Sequence, residues 1–310
     1  MMKSPDRERS PKINNLFANL HQGYVKLAHM ITGLPPKVPF RAPNAPGMKM
    51  DFENDWKTDG CFIGAEGKLY PSETDWRQIP PVRPNNGKEA THTAILINGI
   101  MTDVALHACD LQHLANTGCN VVGIHNATKG FVIDMIQGAG DKLNLDLANN
   151  GATQTATKVL ERELKFRNPD LPKIVGHSQG ALVVSNAISR VEKNLASSGY
   201  DDCEVDEMLA ELDVMTLGGA SWSFPAGPSY EHHINNLDLV PQLLGMGASA
   251  WLTAHPTDEI ERFTFAQAPH SLPDPGDGLS TYLVRACDRS FHGLPDVYAP
   301  RLNQSPDQTQ

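Results

Sequence analysis

A short apolar strand, a five-residue turn and a helix follow one another without a gap in the middle of the chain. Lys173-Ile174-Val175 predicts a buried strand, which runs directly into Gly176-His177-Ser178-Gln179-Gly180. After the turn, apolar residues recur at the spacing of one helix face, at Val184, Ala187, Ile188, Val191 and Leu195. A strand joined to a helix by a tight turn is the building unit of α/β folds, so this segment already favours that fold class.

The same alternation of apolar runs and helical patterns extends over most of the chain from residue 91 onward. Buried strands are predicted at residues 93–97, 121–124, 173–175, 212–217, 231–235 and 261–265. Helices are predicted at 104–115, at 152–164, directly after the turn 176–180, and at about 278–287. Repeated strand–helix units predict a mostly parallel central sheet with helices on both of its faces.

Residues 1–90 lack this alternation of strand and helix patterns, and they predict an extension that packs on the α/β core. A helical apolar period at 13–30 predicts a packing helix, and the Pro- and Gly-rich segment 34–86 predicts irregular coil with short hairpins. We therefore divide the chain into the extension 1–90, an α/β domain over 91–300 and a polar tail over 301–310.

The charge balance and the cysteines exclude several classes of function. A net charge of −10 argues against a surface that binds nucleic acid or an anionic membrane. The five cysteines are scattered, without the spacing of a disulfide framework or a zinc site, which favours a reducing compartment. The sequence also has no His-Glu-x-x-His motif and no Walker-type phosphate loop, so we expect neither a metal nor another cofactor.

No segment of the sequence predicts a membrane anchor. The charged start of the chain lacks the apolar run of a signal peptide, and the apolar stretch 245–254 is too short to cross a bilayer as a helix. We expect a cytoplasmic protein, or one exported by a route without a cleavable signal peptide.

Ser178 is the candidate nucleophile. A serine hydroxyl needs a base to take its proton and donors to stabilise the developing oxyanion. In Gly-x-Ser-x-Gly the serine stands on a strained strand-to-helix turn, and the two glycines let neighbouring backbones approach it. The backbone N–H of Gln179, at the start of the predicted helix, would then point at the oxyanion.

With this motif and its flanking elements, residues 91–287 resemble the α/β-hydrolase superfamily, in particular bacterial serine esterases and lipases. The resemblance implies the α/β-hydrolase fold and a triad in the chain order serine, acid, histidine. It also implies a second oxyanion donor after an upstream strand, where family members commonly have a His-Gly pair. This chain has Asn98-Gly99 there, followed by Ile100 and Met101, whose backbone N–H groups are the candidate donors.

The resemblance assigns the acid to Asp238, because Asn235-Asn236-Leu237-Asp238-Leu239-Val240-Pro241 looks like the acid-bearing segment of lipase-like members. A solvent-facing, helix-capping aspartate is the alternative interpretation, and Glu231 and Asp258 are weaker candidates for the acid. His270, which follows the last predicted strand and precedes a helix, is the candidate base. His292 remains the alternative to it.

Four residues could line a substrate pocket: Asn98, Gly99, His177 and Phe131. Phe131 belongs to a loop after a predicted strand, at the sheet edge where α/β active sites lie. Residues 243–252 could form a lid or an acyl-chain wall, although core packing explains their apolar character equally well.

Together these features predict a serine hydrolase that cleaves a small-molecule or lipid carboxylic ester through an acyl-enzyme. Acyl transfer to another acceptor and thioester hydrolysis use the same triad and stay open. An inert, hydrolase-like binding protein is the alternative from a different class. The acyl chain, the alcohol and the oligomeric state are not indicated by the sequence.

Overall fold

The computed structural model describes residues 55–99, 102–127, 150–236, 238–246, 258–263 and 293–303. Within these ranges the chain forms an eight-stranded sheet in the order β2-β1-β4-β3-β5-β6-β7-β8. The strands are β1 Phe62–Ile63, β2 Leu69–Tyr70, β3 His92–Ile97, β4 Cys119–Ile124, β5 Lys173–His177, β6 Asp213–Leu217, β7 Ser229–Asn235 and β8 Glu259–Phe263. The six strands from β3 to β8 run parallel, whereas β1 pairs antiparallel with both β2 and β4. The predicted α/β class with a mostly parallel sheet is therefore confirmed.

Helices connect the parallel strands. The α-helices in the described ranges are α1 Val104–Ala115, α2 Gly151–Phe166, α3 Gly180–Ser197, α4 Asp202–Leu209, α5 Leu239–Leu244 and α6 Ala299–Leu302. The side chains of Asp103, Asn150, Asp201 and Asp238 cap α1, α2, α4 and α5 by accepting a backbone N–H of the first turn. Such caps satisfy donors that have no partner inside the helix, so these polar residues define where the helices begin.

The two faces of the sheet contribute to two apolar clusters, as the predicted layers require. Ile95 and Ile97 of β3 share a cluster with the buried faces of α2, α3 and α4. Ala94 and Leu96 of the same strand share the other cluster with α1 and with the π-helical turn Leu294–Tyr298. Successive strand residues point to opposite faces, and both faces are apolar because both are covered.

The described part of the N-terminal extension is irregular, with three short 3-10 turns, but it also contributes the β1–β2 hairpin to the sheet. Trp76 anchors it to α2, since its Nε1 donates to Glu163 Oε1 at 2.9 Å. Arg77 pairs with the same buried carboxylate at 2.6 Å. The predicted helix at 13–30 lies outside the described residues, and the boundary at residue 90 stays a prediction.

The predicted strands and helices that fall in the described ranges are present, with small shifts of their ends. The last strand begins at Glu259, two residues before the predicted start. Helix α4 was not predicted, because its exposed sequence is strongly acidic and only three of its side chains are buried. The predicted closing helix at 278–287 and most of the segment 243–252 lie outside the described residues. In the part of the chain that the structure describes, no helix is long and apolar enough to cross a membrane.

Candidate active site

Ser178 follows β5 directly and adopts a left-handed backbone conformation, with φ of +55°. Its N–H donates to the carbonyl of Leu217 at 3.0 Å, and its carbonyl accepts the N–H groups of Ala181 at 3.1 Å and Ala220 at 2.9 Å. A non-glycine residue keeps this conformation only where its surroundings hold it. The predicted sharp turn between strand and helix is therefore present, and Ser178 stands at its bend.

Three glycines allow the backbone to pass this closely around the serine. A Cβ atom at Gly176 would lie 2.7 Å from the Cα of Ala181, and a Cβ at Gly99 would lie 2.5 Å from the Cβ of Ser178. At Gly180 it would overlap the carbonyl oxygen of Ile97. All three positions exclude a side chain, which explains the two motif glycines and ties Gly99 to the same site.

The sheet order places Ser178 beside the Gly99 loop. From β3 the chain moves to β4 on one side and later returns to β5 on the other side of β3. In open α/β sheets, ligands bind outside the carboxyl ends of the strands at such a reversal. The carboxyl ends of β3 and β5 carry Gly99 and Ser178, so the candidate nucleophile lies at the position where the topology forms a crevice.

Four amide side chains, of which all but Asn150 are buried, are linked beside the nucleophile and form what we call the amide cluster: Asn98, Asn126, Asn150 and Gln179. Asn98 Nδ2 donates to the carbonyls of Gly99 at 2.7 Å and Asn126 at 3.0 Å, and its Oδ1 accepts the Asn126 N–H at 2.8 Å. Asn126 Nδ2 donates to Gln179 Oε1 at 2.9 Å, and Asn150 Nδ2 donates to Asn126 Oδ1 at 3.1 Å. The cluster joins the ends of β3 and β4 to the starts of α2 and α3.

Asp238 is fully buried at the N-terminus of α5, where its Oδ1 accepts the Val240 N–H at 2.9 Å. Its Oδ2 accepts the phenolic proton of Tyr298 at 2.6 Å. A Cβ on Gly218 would lie 2.7 Å from the same Oδ2, and Gly218 follows the residue whose carbonyl binds Ser178. Asp238 therefore lies at the sheet edge that carries Ser178. It also caps a helix, but it is buried and does not face solvent as the alternative supposed.

Tyr298 holds this carboxylate from the other side. Its side chain is buried, and its ring lies 6.1 Å from that of His177, with a nearly perpendicular tilt. Burial, and then the charge of Asp238, raise the pKa of Tyr298 well above its usual value. The phenol therefore stays protonated, and its O–H donates a hydrogen bond to Asp238. Sequence reasoning missed Tyr298, because nothing local marks a contact between residues 60 positions apart.

A buried histidine pair lies on the same side of the molecule and was also missed. The Nδ1 atoms of His107 and His125 are 3.3 Å apart, and both side chains are fully buried. Burial, and then the proximity of His125, lower the pKa of His107 well below its usual value. His107 is therefore uncharged at neutral pH and belongs to the polar core beneath the site.

Ser178, Gln179, His177, Gly99, Asn98 and Asp238 all lie at the carboxyl ends of neighbouring strands. The predicted residues Ile100, Met101, Phe131 and His270, and the alternative base His292, lie outside the described residues. The roles assigned to all of these side chains stay predictions.

Two further histidines, His232 and His233, lie within β7. His232 Nδ1 is 2.7 Å from Thr216 Oγ1, and its Nε2 is 3.9 Å from the carboxylate of Asp258. His233 lies between Glu231 and Glu261. The two weaker acid candidates, Glu231 and Asp258, are therefore next to β7 histidines. Among the described residues, no group of three His, Cys, Asp or Glu side chains could hold a metal ion.

Comparisons with known proteins add little to this geometry. No protein-family model matches the chain, and no curated protein does. Among solved structures, the crystal structure of a point variant of esterase rPPE is similar to this chain with a TM-score of 0.33 and 10% identity, over 94% of this chain and 98% of that one. A likeness this weak carries no argument, so the proposals below depend on the chain's own residues.

Proposed function

We propose that this chain is a serine hydrolase of the α/β-hydrolase superfamily and that it cleaves a carboxylic ester of a small molecule or lipid. The observation that carries the proposal is the left-handed backbone of Ser178, at the bend between β5 and α3. Few non-glycine residues adopt this conformation, and strained residues cluster at active sites. Glu66 and Arg167 share the positive φ, but they lie in a 3-10 turn and at the C-terminus of α2, whereas Ser178 lies between a parallel strand and a helix.

In the proposed reaction, Ser178 Oγ attacks the ester carbonyl carbon while His270 takes the hydroxyl proton. The carbonyl oxygen becomes an oxyanion, which the N–H groups of Gln179 and of Ile100 or Met101 stabilise. The alcohol leaves with the proton from His270, and water then attacks the acyl-enzyme by the same route. Asp238 orients His270 and stabilises its charged form.

The position of Asp238 supports this assignment. Its carboxylate is fully buried and accepts two hydrogen bonds, from Val240 and Tyr298. A buried carboxylate with both oxygens held has a fixed direction, which suits a residue that must orient an imidazole.

Ser178→Ala is expected to abolish turnover of a short-chain p-nitrophenyl ester and labelling by a fluorophosphonate probe. Loss of the nucleophile in a triad lowers kcat by about 10⁶-fold, because the residues act as a unit. Both readouts are measured on the purified full chain, with release of free acid followed by titration.

Ser185→Ala is the matched control, because Ser185 lies in α3 and its Oγ donates to the carbonyl of Ser223 instead. This variant should keep turnover and labelling. Undiminished activity in Ser178→Ala would contradict the proposal, as would a wild-type chain that neither hydrolyses esters nor reacts with the probe. An acyl-acceptor product in place of free acid would show a transferase.

A further inference from the structure

The amide cluster connects the loops after β3 and β4, which lie on one side of the nucleophile. Asn98 follows β3 and Asn126 follows β4, and one Asn98 side chain holds both backbone groups of Asn126, at 2.8 and 3.0 Å. Asn126 Nδ2 donates in return to the Asn98 carbonyl at 3.3 Å. Both side chains are 1% exposed. The loops are thus held together beyond the ends of their strands.

One arm of the cluster reaches the residue after the nucleophile. Asn126 Nδ2 donates to Gln179 Oε1 at 2.9 Å, and the Gln179 side chain is 1% exposed. Gln179 precedes the first residue of α3, and its backbone N–H is the proposed first oxyanion donor. A fixed side chain restrains the backbone from which it projects, so Asn126 helps to set the direction of that N–H.

The other arm reaches the loop after β3. Asn98 Nδ2 donates to the Gly99 carbonyl at 2.7 Å. This bond fixes the direction of the Gly99 carbonyl, at the point where the loop passes Ser178.

The residue type at position 98 fits this arrangement. Its side chain donates two hydrogen bonds through Nδ2 and accepts one through Oδ1. A neutral imidazole offers one donor and one acceptor on opposite sides of a ring and could not make all three bonds. These contacts explain why asparagine suits position 98, where the family that the sequence resembles commonly has histidine.

We propose that Asn126 is a positioning residue for the oxyanion hole: through the Gln179 side chain it sets the direction of the Gln179 N–H, and Asn98 holds Asn126 in place. The inference rests on the proposed function and deepens it. In this proposal the asparagines act through another residue: Asn98 acts on Asn126, and Asn126 acts on Gln179.

Asn126→Ala removes the bond to Gln179, together with the side-chain bonds to Asn98 and Asn150, and leaves every backbone donor in place. We expect kcat to fall by about 10-fold and KM to stay within about twofold, because misplaced donors weaken transition-state binding more than ground-state binding. The affinity for phenylboronic acid, which forms a tetrahedral serine adduct, should fall by a similar factor. Rates are expressed per active site, counted by fluorophosphonate titration, so that loss of folded protein does not count as loss of kcat.

Gln179→Met breaks the same bond from the other end and serves if Asn126→Ala folds poorly. Because both substitutions remove the bond between Asn126 and Gln179, the double variant should lose no more kcat than the worse single variant. Asn116→Ala is the matched control, since Asn116 lies beyond the C-terminus of α1, at the opposite sheet edge, and its Oδ1 accepts the Asn85 N–H. Its kcat per site should equal that of the wild type.

Unchanged kcat per site and unchanged phenylboronic acid affinity in both Asn126→Ala and Gln179→Met, whatever their thermal stability, would overturn this inference alone. A wild-type chain without turnover or labelling would overturn the proposed function, and the positioning role with it. Turnover and labelling of the wild-type chain therefore distinguish the two failures.

Discussion

Ser178 is held in a backbone conformation that costs a non-glycine residue about 1–2 kcal/mol. Its N–H and carbonyl are bound by Leu217, Ala181 and Ala220, so the surrounding chain maintains this conformation. The hydroxyl therefore projects from a turn whose backbone alone would favour glycine. The backbone conformation that places the nucleophile therefore lowers the stability of the fold at this residue.

Ser178→Gly should be more stable than Ser178→Ala by about 1 kcal/mol, because glycine relieves the positive φ and alanine does not. Both variants lack the hydroxyl, so the comparison isolates the backbone. The free energy of unfolding in urea measures the difference.

The same pair of substitutions at Ser185, inside α3, should give the opposite order. Glycine in a helix interior is less stable than alanine by about 1 kcal/mol. Equal stability of the two Ser178 variants would show that the positive φ stores no strain.

At the scale of elements, the π-helical turn Leu294–Tyr298 is packed against the sheet so that Tyr298 reaches the N-terminus of α5. Its ring lies 5.6 Å from that of Phe263 in β8, edge to face. The hydroxyl bonds Asp238 at 2.6 Å. Two elements from distant parts of the chain thus fix the carboxylate.

Tyr298→Phe keeps the ring and removes this hydrogen bond, together with the long one that the hydroxyl accepts from the Asn235 N–H at 3.5 Å. We expect kcat/KM to fall by about 10-fold, because a carboxylate that has lost a fixed donor orients the imidazole less well. The acidic limb of the pH–rate profile should move to higher pH, because a carboxylate with one donor fewer favours the protonated imidazole more strongly. Steady-state kinetics between pH 5 and 9 measure both effects.

Tyr230→Phe is the matched control, because Tyr230 is also buried and donates to the Pro225 carbonyl at 2.7 Å. It should lose stability without any shift of the pH profile. A pH profile for Tyr298→Phe identical to that of the wild type would mean that the phenol does not act through Asp238.

Sequence patterns predicted the elements far better than the contacts between them. The apolar period of α3 and the runs of β3 to β7 are local, so they identified the α/β class and the turn at Ser178. The partners of Asp238 and Gln179 are not local: Tyr298 lies 60 residues and Asn126 lies 53 residues away in the chain. The two-residue strands β1 and β2 are too short to show any period.

At the scale of the whole molecule, a series of charged side chains crosses the sheet from β5 to α6. Lys173 pairs with Glu231 at 2.8 Å, and Glu231 with His233 at 2.7 Å. His233 lies 2.6 Å from Glu261, which also pairs with Arg301. These contacts tie the later strands and the C-terminal helix to the centre of the sheet.

This arrangement makes the fold sensitive to acid. The hydrogen bond from His233 is the largest of the influences that lower the pKa of Glu231 to about 2. The unfolded chain binds this proton near pH 4.5 and the folded chain only near pH 2, so stability is lost as the pH falls between these values. In His233→Leu the loss over this range should be smaller, and stability at pH 7 should be lower. Urea unfolding between pH 2 and 7 measures both.

His113→Leu changes an exposed histidine of α1 and should leave the shape of the pH dependence unaltered. Parallel curves for His233→Leu and the wild type would show that His233 does not hold the pKa of Glu231 low.

The bond between Tyr298 and Asp238 has a consequence for a chain that is still being made. The hydroxyl that steadies the carboxylate is added 120 residues after Ser178. At ribosomal rates of about 5–20 residues per second, this is a delay of roughly 6–24 seconds. A nascent polypeptide that ends between Asp238 and Tyr298 has the serine and the acid without the hydroxyl that steadies the acid, so full reactivity would be reached only after Tyr298 has been added.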